Sequence, residues 1–433
     1  MERMMKESGV EWIGQIPESW YITKFNHVIE RMSTGLNPRD NFELGKGDNY
    51  YVTIRNFKNG HLFLDEKCDK IDDEALAIIH QRSDLKVGDI LFASISKEGN
   101  TYLIEQEPVN WEINESVFTI RADKKFVIPR FLNHVLVSKY FFDALQSEAT
   151  GSTFQSIKQE KMRANKIVLP PIEEQEKIAT FLDEKVKEID AIISKTEETI
   201  EQYKKYRNSI ISEKIIFGMD SSAPVKNTGV AWCPQIPEHW NVINPKALFS
   251  LRKDKAGEGD RQLTASQKKG IMYQDEYMES EGVRVVVVQK DFDILKHVEP
   301  DDFVISMRSF QGGLEYSELS GCISSAYVML IPNKEKVYSP FYKWFFKSSK
   351  YINAIQSTSN LVRDGQAMRY SNFAQVPLLD IPMEEQQKIA EYLSEKCAEI
   401  DALIAKKEAF VEEMEAYKKS LIYEYVTGKK EVL

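Results

Sequence analysis

Two carboxylate pairs, Glu173 with Glu174 and Glu384 with Glu385, have the type and spacing to do chemistry, since neighbouring carboxylates can divide the roles of general acid and general base. Each pair follows a proline, Pro171 or Pro382, at the head of a long amphipathic stretch. Proline suits the first helical turn, and acidic side chains complement the positive end of the helix dipole. The helix-start reading therefore takes precedence, with Gln175 and Gln386 completing each Glu-Glu-Gln. Cys68, Cys233, Cys322 and Cys397 stand alone, without a Cys-x-x-Cys pair, and the six histidines supply no His-x3-His partner. Neither a metal site nor a disulfide framework is expected, and a reducing cytoplasm is the simpler location. No Walker A sequence, glycine-rich cofactor loop, or Asn-Pro-Pro-aromatic or Asp-Pro-Pro-aromatic motif is present, so ATP hydrolysis and methyl transfer would have to come from other chains. No cofactor is expected in this one, and a nuclease built from scattered acids is the least favoured alternative.

Cationic side chains are the second source of chemistry. The chain carries a formal net charge of -10, which by itself argues against a nucleic-acid partner. That charge is unevenly placed. Residues 171–218 hold 11 acidic and 8 basic side chains and residues 382–433 hold 12 and 8, which leaves the rest of the chain at only -3. Locally basic stretches remain at 124–142, 156–166 and 336–371. Lys158, Lys161 and Arg163 in the first half, and Lys350, Arg363 and Arg369 in the second, are the DNA-contact candidates, arginine for guanine edges and lysine for phosphate. The same stretches can equally be solvated surface, and Phe131, Phe141, Phe142, Phe345 and Phe346 read as core. An acidic coiled-coil scaffold for other proteins is the competing function.

The elements that position these residues occur twice. Gly9-Val-Glu-Trp-Ile-Gly-Gln-Ile-Pro-Glu-Ser-Trp20 recurs as Gly229-Val-Ala-Trp-Cys-Pro-Gln-Ile-Pro-Glu-His-Trp240 with eight of twelve positions identical, and Pro171–Lys195 matches Pro382–Lys406 at sixteen of twenty-five. Ser138-Lys139-Tyr140 also recurs as Ser349-Lys350-Tyr351, while residues 21–137 and 241–348 share little. Tandem copies with like borders and unlike middles suggest one scaffold carrying two different binding surfaces. From Leu182 to Ile210 and from Leu393 to Leu421, apolar or seam positions alternate at spacings of four and three, the pattern of long helices with a coiled-coil seam. Gly218 and Gly428 are the expected stops. The middles read as α+β, with strands at Tyr51–Ile54, Ile90–Ala93, Val117–Ile120, Val285–Val288 and Tyr327–Ile331, and helices at Pro129–Gln146 and Pro340–Gln356. Trp12, Trp20, Trp232 and Trp240 are expected to plug apolar seams.

The paired opening motif, and Leu169-Pro170-Pro171-Ile-Glu-Glu-Gln175-Glu-Lys-Ile-Ala with its second copy, resemble the specificity subunits of type I restriction-modification systems over essentially the whole chain. The resemblance implies target recognition domains at 1–170 and 229–381, a spacer helix at 171–218, a second spacer helix with a C-terminal tail at 382–433, and a linker at 219–228. It further implies that the helices pack as an antiparallel coiled coil with pseudo-two-fold symmetry. By the same resemblance, each domain would read half of a bipartite duplex target and the helices would set the gap. The partners would be two methyltransferase subunits and translocase-nuclease subunits. Glu173, Glu174, Gln175, Glu384, Glu385 and Gln386 would then be helix-start or methyltransferase-contact residues, and the chain itself would not be an enzyme. Cys233-Pro234 where the first copy has Ile13-Gly14, and Asp380-Ile381 where it has Leu169-Pro170, are local departures at turns.

Overall fold

The computed structural model describes residues 3–10, 13–96, 99–146, 156–267, 269–284, 294–307, 309–358 and 368–432. Trp12, Val285–Val288, Arg363 and the polar stretch 150–155 lie outside them. The chain divides into two compact units, one formed by the residues up to Thr196 together with those from Ala409 onward, the other by Glu197–Glu408. Each unit contains one head and one half of each long helix.

The long helices are Ile172–Phe217 and Met383–Val426, of 46 and 44 residues. Both begin one residue after the anticipated proline. Gly218, at φ 74°, stops the first; the second ends at Val426, two residues before Gly428 at φ 72°. Every seam position from Leu182 to Ile210 and from Leu393 to Leu421 is buried or half-buried, as the four-three spacing requires. The halves run antiparallel in each unit. In the first unit Phe181 stacks near Tyr425 (4.6 Å between ring centroids) and Asp190 pairs with Lys418 (2.7 Å). In the second, Arg207 pairs with Asp401 (2.9 Å) and Lys214 lies over Tyr392.

The first head is organised on an antiparallel four-stranded sheet in the order Thr101–Leu103, Ile90–Ala93, Val117–Ala122, Ile29–Thr34. The second repeats that order with Glu315–Tyr316, Phe303–Ile305, Val328–Pro332 and Phe249–Leu251. The topology is thus shared in the region where the two sequences diverge most. Added to this sheet, the first head has Asn49–Val52 between the parallel Trp111–Ile113 and the antiparallel Asp69–Ile71, followed by the helix Asp73–Ser83. The second head has instead the hairpin Leu263–Ser266 with Gly270–Tyr273, the helix Gln274–Glu281, and Lys296–Val298 paired with Gly321–Ile323.

Each expected helix in the head is two. Pro129–Val137 and Lys139–Gln146 are separated at Ser138, and Ser339–Lys347 and Ser349–Gln356 at Ser348. The serine hydroxyl donates to the carbonyl three residues back, Val135 or Phe345, while its own backbone turns extended, so the helix cannot continue. The structural equivalent of Ser138 is therefore Ser348. The Ser-Lys-Tyr match in the sequence is out of register by one residue.

Candidate nucleic-acid interface and helix junctions

The Glu-Glu-Gln signatures fasten each long helix to its head. Gln175 is fully buried; its amide nitrogen donates to the carbonyls of Phe126 (2.9 Å) and Pro170 (3.0 Å), and its oxygen accepts from the backbone of Ile128 (3.0 Å), the N-cap of the helix Pro129–Val137. Gln386 repeats the arrangement on Lys336 (2.7 Å), Ile381 (2.8 Å) and Tyr338 (2.8 Å). Each glutamine satisfies three buried backbone groups that sit where one helix ends its loop and another begins.

Glu174 and Glu385 take the indole N–H of Trp20 (2.8 Å) and Trp240 (3.0 Å), the last residues of the repeated opening motif, both fully buried. Their other oxygens hold Arg3 and His239 (2.7 Å for the latter). These tryptophans also receive the end of the opposite long helix. A Cβ on Gly428 would come within 2.5 Å of Pro17 and 3.1 Å of Trp20, and one on Gly218 within 3.1 Å of Trp240. At Gly428 only glycine permits that approach, and at both positions glycine supplies the left-handed turn. One carboxylate of each pair, Glu174 or Glu385, is therefore an anchor, while Glu173 and Glu384 are exposed, the latter paired with Lys388 (2.7 Å). Acid-base chemistry has no support in this geometry.

The basic stretches are partly consumed inside the heads. Arg130 reaches Glu176 and Asp183 (3.0 Å for the latter) on the first long helix, and His134 also bonds Asp183 (2.7 Å). Burial would raise the Asp183 carboxyl, but His134 and Arg130 outweigh it and hold it below the usual carboxylate range. Lys343 pairs with Glu318 and Lys347 with the buried Glu315. Arg163 donates to Asn26 (2.6 Å) and the Met32 carbonyl (3.2 Å), clamping the short helix Gln159–Ala164 onto the turn Phe25–His27.

That clamp organises a cationic face on the first head. The strand Lys166–Leu169 pairs with Tyr21–Lys24 in a register that sets Lys166 directly opposite Lys24. Both are exposed, as are Lys158 and His27, and Lys161 is half-buried. Like charges directly across a sheet repel, so this pair gains from an anion placed over it. In the second head the matching strands are Asn241–Ile243 and Leu378–Asp380, and the positions of Lys24 and Lys166 are taken by the uncharged Asn244 and Pro377. Exposed cations in that head include Lys246, Lys350 and Arg369. Asn372 donates to the Thr358 hydroxyl (3.1 Å), which brings the helix Tyr370–Gln375, with Arg369 at its N-cap, to the end of Ser349–Gln356; Lys350 sits at the far end of that helix.

Residues 17–202 match the family described as type I restriction modification DNA specificity domain. A putative type I restriction enzyme MjaX specificity subunit of Methanocaldococcus jannaschii is 26% identical over 438 residues, covering 96% of this chain and 95% of that one. The first half of the chain therefore matches that domain family, and nearly the whole chain is similar to a type I specificity subunit. Its fold is also that of a solved chain from work on complex assembly and conformational transition of the type I R-M system, with a TM-score of 0.67, 17% identity, and coverage of 96% and 99%. An HsdS subunit from Thermoanaerobacter tengcongensis aligns at 15% identity and a TM-score of 0.47, over 96% of this chain and 98% of that one.

Lys158 stands at the N-cap of the helix Gln159–Ala164, and Lys161 and Arg163, two residues apart on it, point to different sides, Arg163 toward Asn26 and Met32; in the second head Lys350 lies apart from Arg369. Sequence reasoning missed Lys24, because nothing local marks it; its role depends on a cross-strand register set by residues more than a hundred positions away. It also missed Asp190 and Asp401, the aspartates of the repeated Glu-Ile-Asp-Ala, which form the interhelix ion pairs in the two units. Their recurrence in both copies was a signal that could have found them.

Proposed function

We propose that the chain is the sequence-reading component of a type I restriction-modification complex, each head reading one half of a bipartite duplex target. The lengths of the long helices set the number of base pairs between the halves. Two methyltransferase subunits and, for cleavage, translocase-nuclease subunits supply the chemistry, and the chain carries no catalytic step or cofactor of its own. It acts in the cytoplasm, where chromosomal DNA is accessible; no helix among the described residues is long and apolar enough to cross a membrane.

The observation that carries this reading is the repeated frame with dissimilar interiors: the same sheet order and the same Gln and Glu anchors surround different added strands, helices and polar networks. A protein selected for one surface in duplicate would keep the interiors alike. Inserting one heptad into both long helices should lengthen the preferred spacer in the methylome of cells carrying the whole system, and leave each half-site sequence unchanged. Altered half-sites would mean that the helices themselves read bases. Within the first head, Lys24 and Lys166 are assigned to phosphate. Replacing both by Gln in the assembled methyltransferase should reduce the dependence of log affinity on log salt by about 2, without changing the preferred sequence. An unchanged salt slope would remove this face from the DNA.

A further inference from the structure

The second head has no lysine pair at the positions of Lys24 and Lys166, but it sets two other lysines face to face, in strands that the first head does not share. The segment that follows Phe249–Leu251 lies antiparallel along Lys296–Val298, and Lys255 bridges directly to Lys296. The Ala256 N–H donates to the Leu295 carbonyl (3.1 Å) and the His297 N–H to the Asp254 carbonyl (3.0 Å). These bonds flank the bridge and make Lys255 and Lys296 a non-hydrogen-bonded pair, the kind that brings opposed residues closest, about 4.5 Å between Cα atoms, with both side chains on one face.

Lys255 is exposed; Lys296 is half-buried, and its ammonium donates to the Tyr327 carbonyl (2.6 Å). Burial, and Lys255 beside it, hold the Lys296 pKa below the ordinary lysine range. A second cation set against a partly desolvated one is a cost that an anion over the pair would remove. Four acids close by are gathered elsewhere. The His297 side chain, next along the strand, points to the opposite face, where Nδ1 bonds Asp260 (2.7 Å) and Nε2 bonds Glu299 (2.6 Å). A histidine that meets a carboxylate at each ring nitrogen donates from both and is the charged imidazolium. Arg252 takes Asp302 (2.6 and 3.0 Å) and Asp254 (3.0 Å). We infer that Lys255 and Lys296 are a phosphate-binding pair through which the second head holds the backbone of its half-site, the part played in the first head by Lys24 and Lys166. The inference rests on the DNA reading of the chain.

The test is the salt dependence of binding by the assembled methyltransferase to a duplex carrying the target read from the methylome. Lys255→Gln combined with Lys296→Gln should reduce the dependence of log affinity on log salt by about 2, so that raising salt from about 50 mM to about 200 mM weakens binding about tenfold less than in the wild type. The preferred sequence should stay the same, because phosphate contacts carry no sequence information. Lys255→Arg, which keeps the charge, should keep the wild-type slope. An unchanged slope in the double glutamine variant, beside a wild-type complex whose binding is salt-sensitive and sequence-selective, would overturn this proposal and leave the DNA reading standing. A wild-type complex without such binding would overturn both. Should the double variant fail to assemble, Lys255→Gln alone should reduce the slope by about 1, and an unchanged slope there would overturn the proposal.

Discussion

The two heads solve one framing problem with the same devices and fill the frame differently. Immediately before the second strand of each sheet stands a buried aspartate, Asp89 or Asp302, each accepting the backbone N–H three residues earlier at 2.9 Å. Each is gripped by two nitrogens of an arginine, yet the arginine comes from different strands. Arg121 lies within Val117–Ala122, whereas Arg252 directly follows Phe249–Leu251. The interiors diverge further. Phe249 has the rings of Tyr342, Phe346, Phe303 and Phe373 within 5.2–5.9 Å, whereas the matching strand and helix positions in the first head are Ile29, Leu132, Leu136 and Ile90. A buried backbone or carboxylate group accepts few solutions because its hydrogen bonds are directional; apolar volume can be filled in many ways. Polar anchors therefore persist between the copies while the core and the outer surface drift.

The sharpest way to break this comparison is at the buried aspartates. Asp89→Ala and Asp302→Ala should each destabilise the chain by about 3 kcal/mol, since each removes the buried carboxylate that takes two arginine nitrogens and a backbone N–H, leaving Arg121 only Asp84 and Arg252 only Asp254. Chemical denaturation that shows the two differing by more than about 1 kcal/mol would mean that the arginine's strand of origin matters. Next in size, Gln175→Ala and Gln386→Ala should each cost about 2 kcal/mol by leaving three backbone groups unsatisfied, with matching losses of amide protection at Ile128 and Tyr338. Protection lost at only one of them would show that the junctions are not equivalent.

Smaller effects should separate the units. Asp190 and Lys418 are 24% and 17% exposed, against 52% and 29% for Asp401 and Arg207. Asp190→Asn should therefore cost about 1 kcal/mol and Asp401→Asn less than about 0.5 kcal/mol in thermal unfolding. The smallest effect belongs to the second head alone. His297 is held between Asp260 (2.7 Å) and Glu299 (2.6 Å); burial disfavours its charge, but the hydrogen bonds it donates to Glu299 and Asp260 outweigh that and raise its pKa above the ordinary histidine value. A raised folded pKa stabilises fully below the unfolded value of about 6.5 and ceases to do so as pH rises through the folded one. Hydrogen-exchange protection at Lys296–Val298, corrected for intrinsic exchange, should fall over that interval, and His297→Gln should flatten the profile.

Much of this was legible beforehand, where a pattern is local and repeats. The four-three spacing gave the long helices and their buried seams, Gly218 and Gly428 their ends, and Ile90–Ala93 an entire strand. The helix breaks at Ser138 and Ser348 were not legible, because a serine within a helical pattern interrupts it only when its hydroxyl turns back on the preceding turn and the chain has somewhere to go. Nor was the common sheet order visible, since matched strands can share topology with almost no shared side chains.

The amino-acid order alone determined the duplication and the helix lengths, both properties carried by neighbours along the chain. Only tertiary structure decided that Glu174 and Gln175 are anchors and not chemistry, that Arg163 clamps a turn, and that Lys24 faces Lys166. Such roles depend on which distant backbone groups and charges arrive beside a side chain, and spacing along the sequence does not encode that arrival.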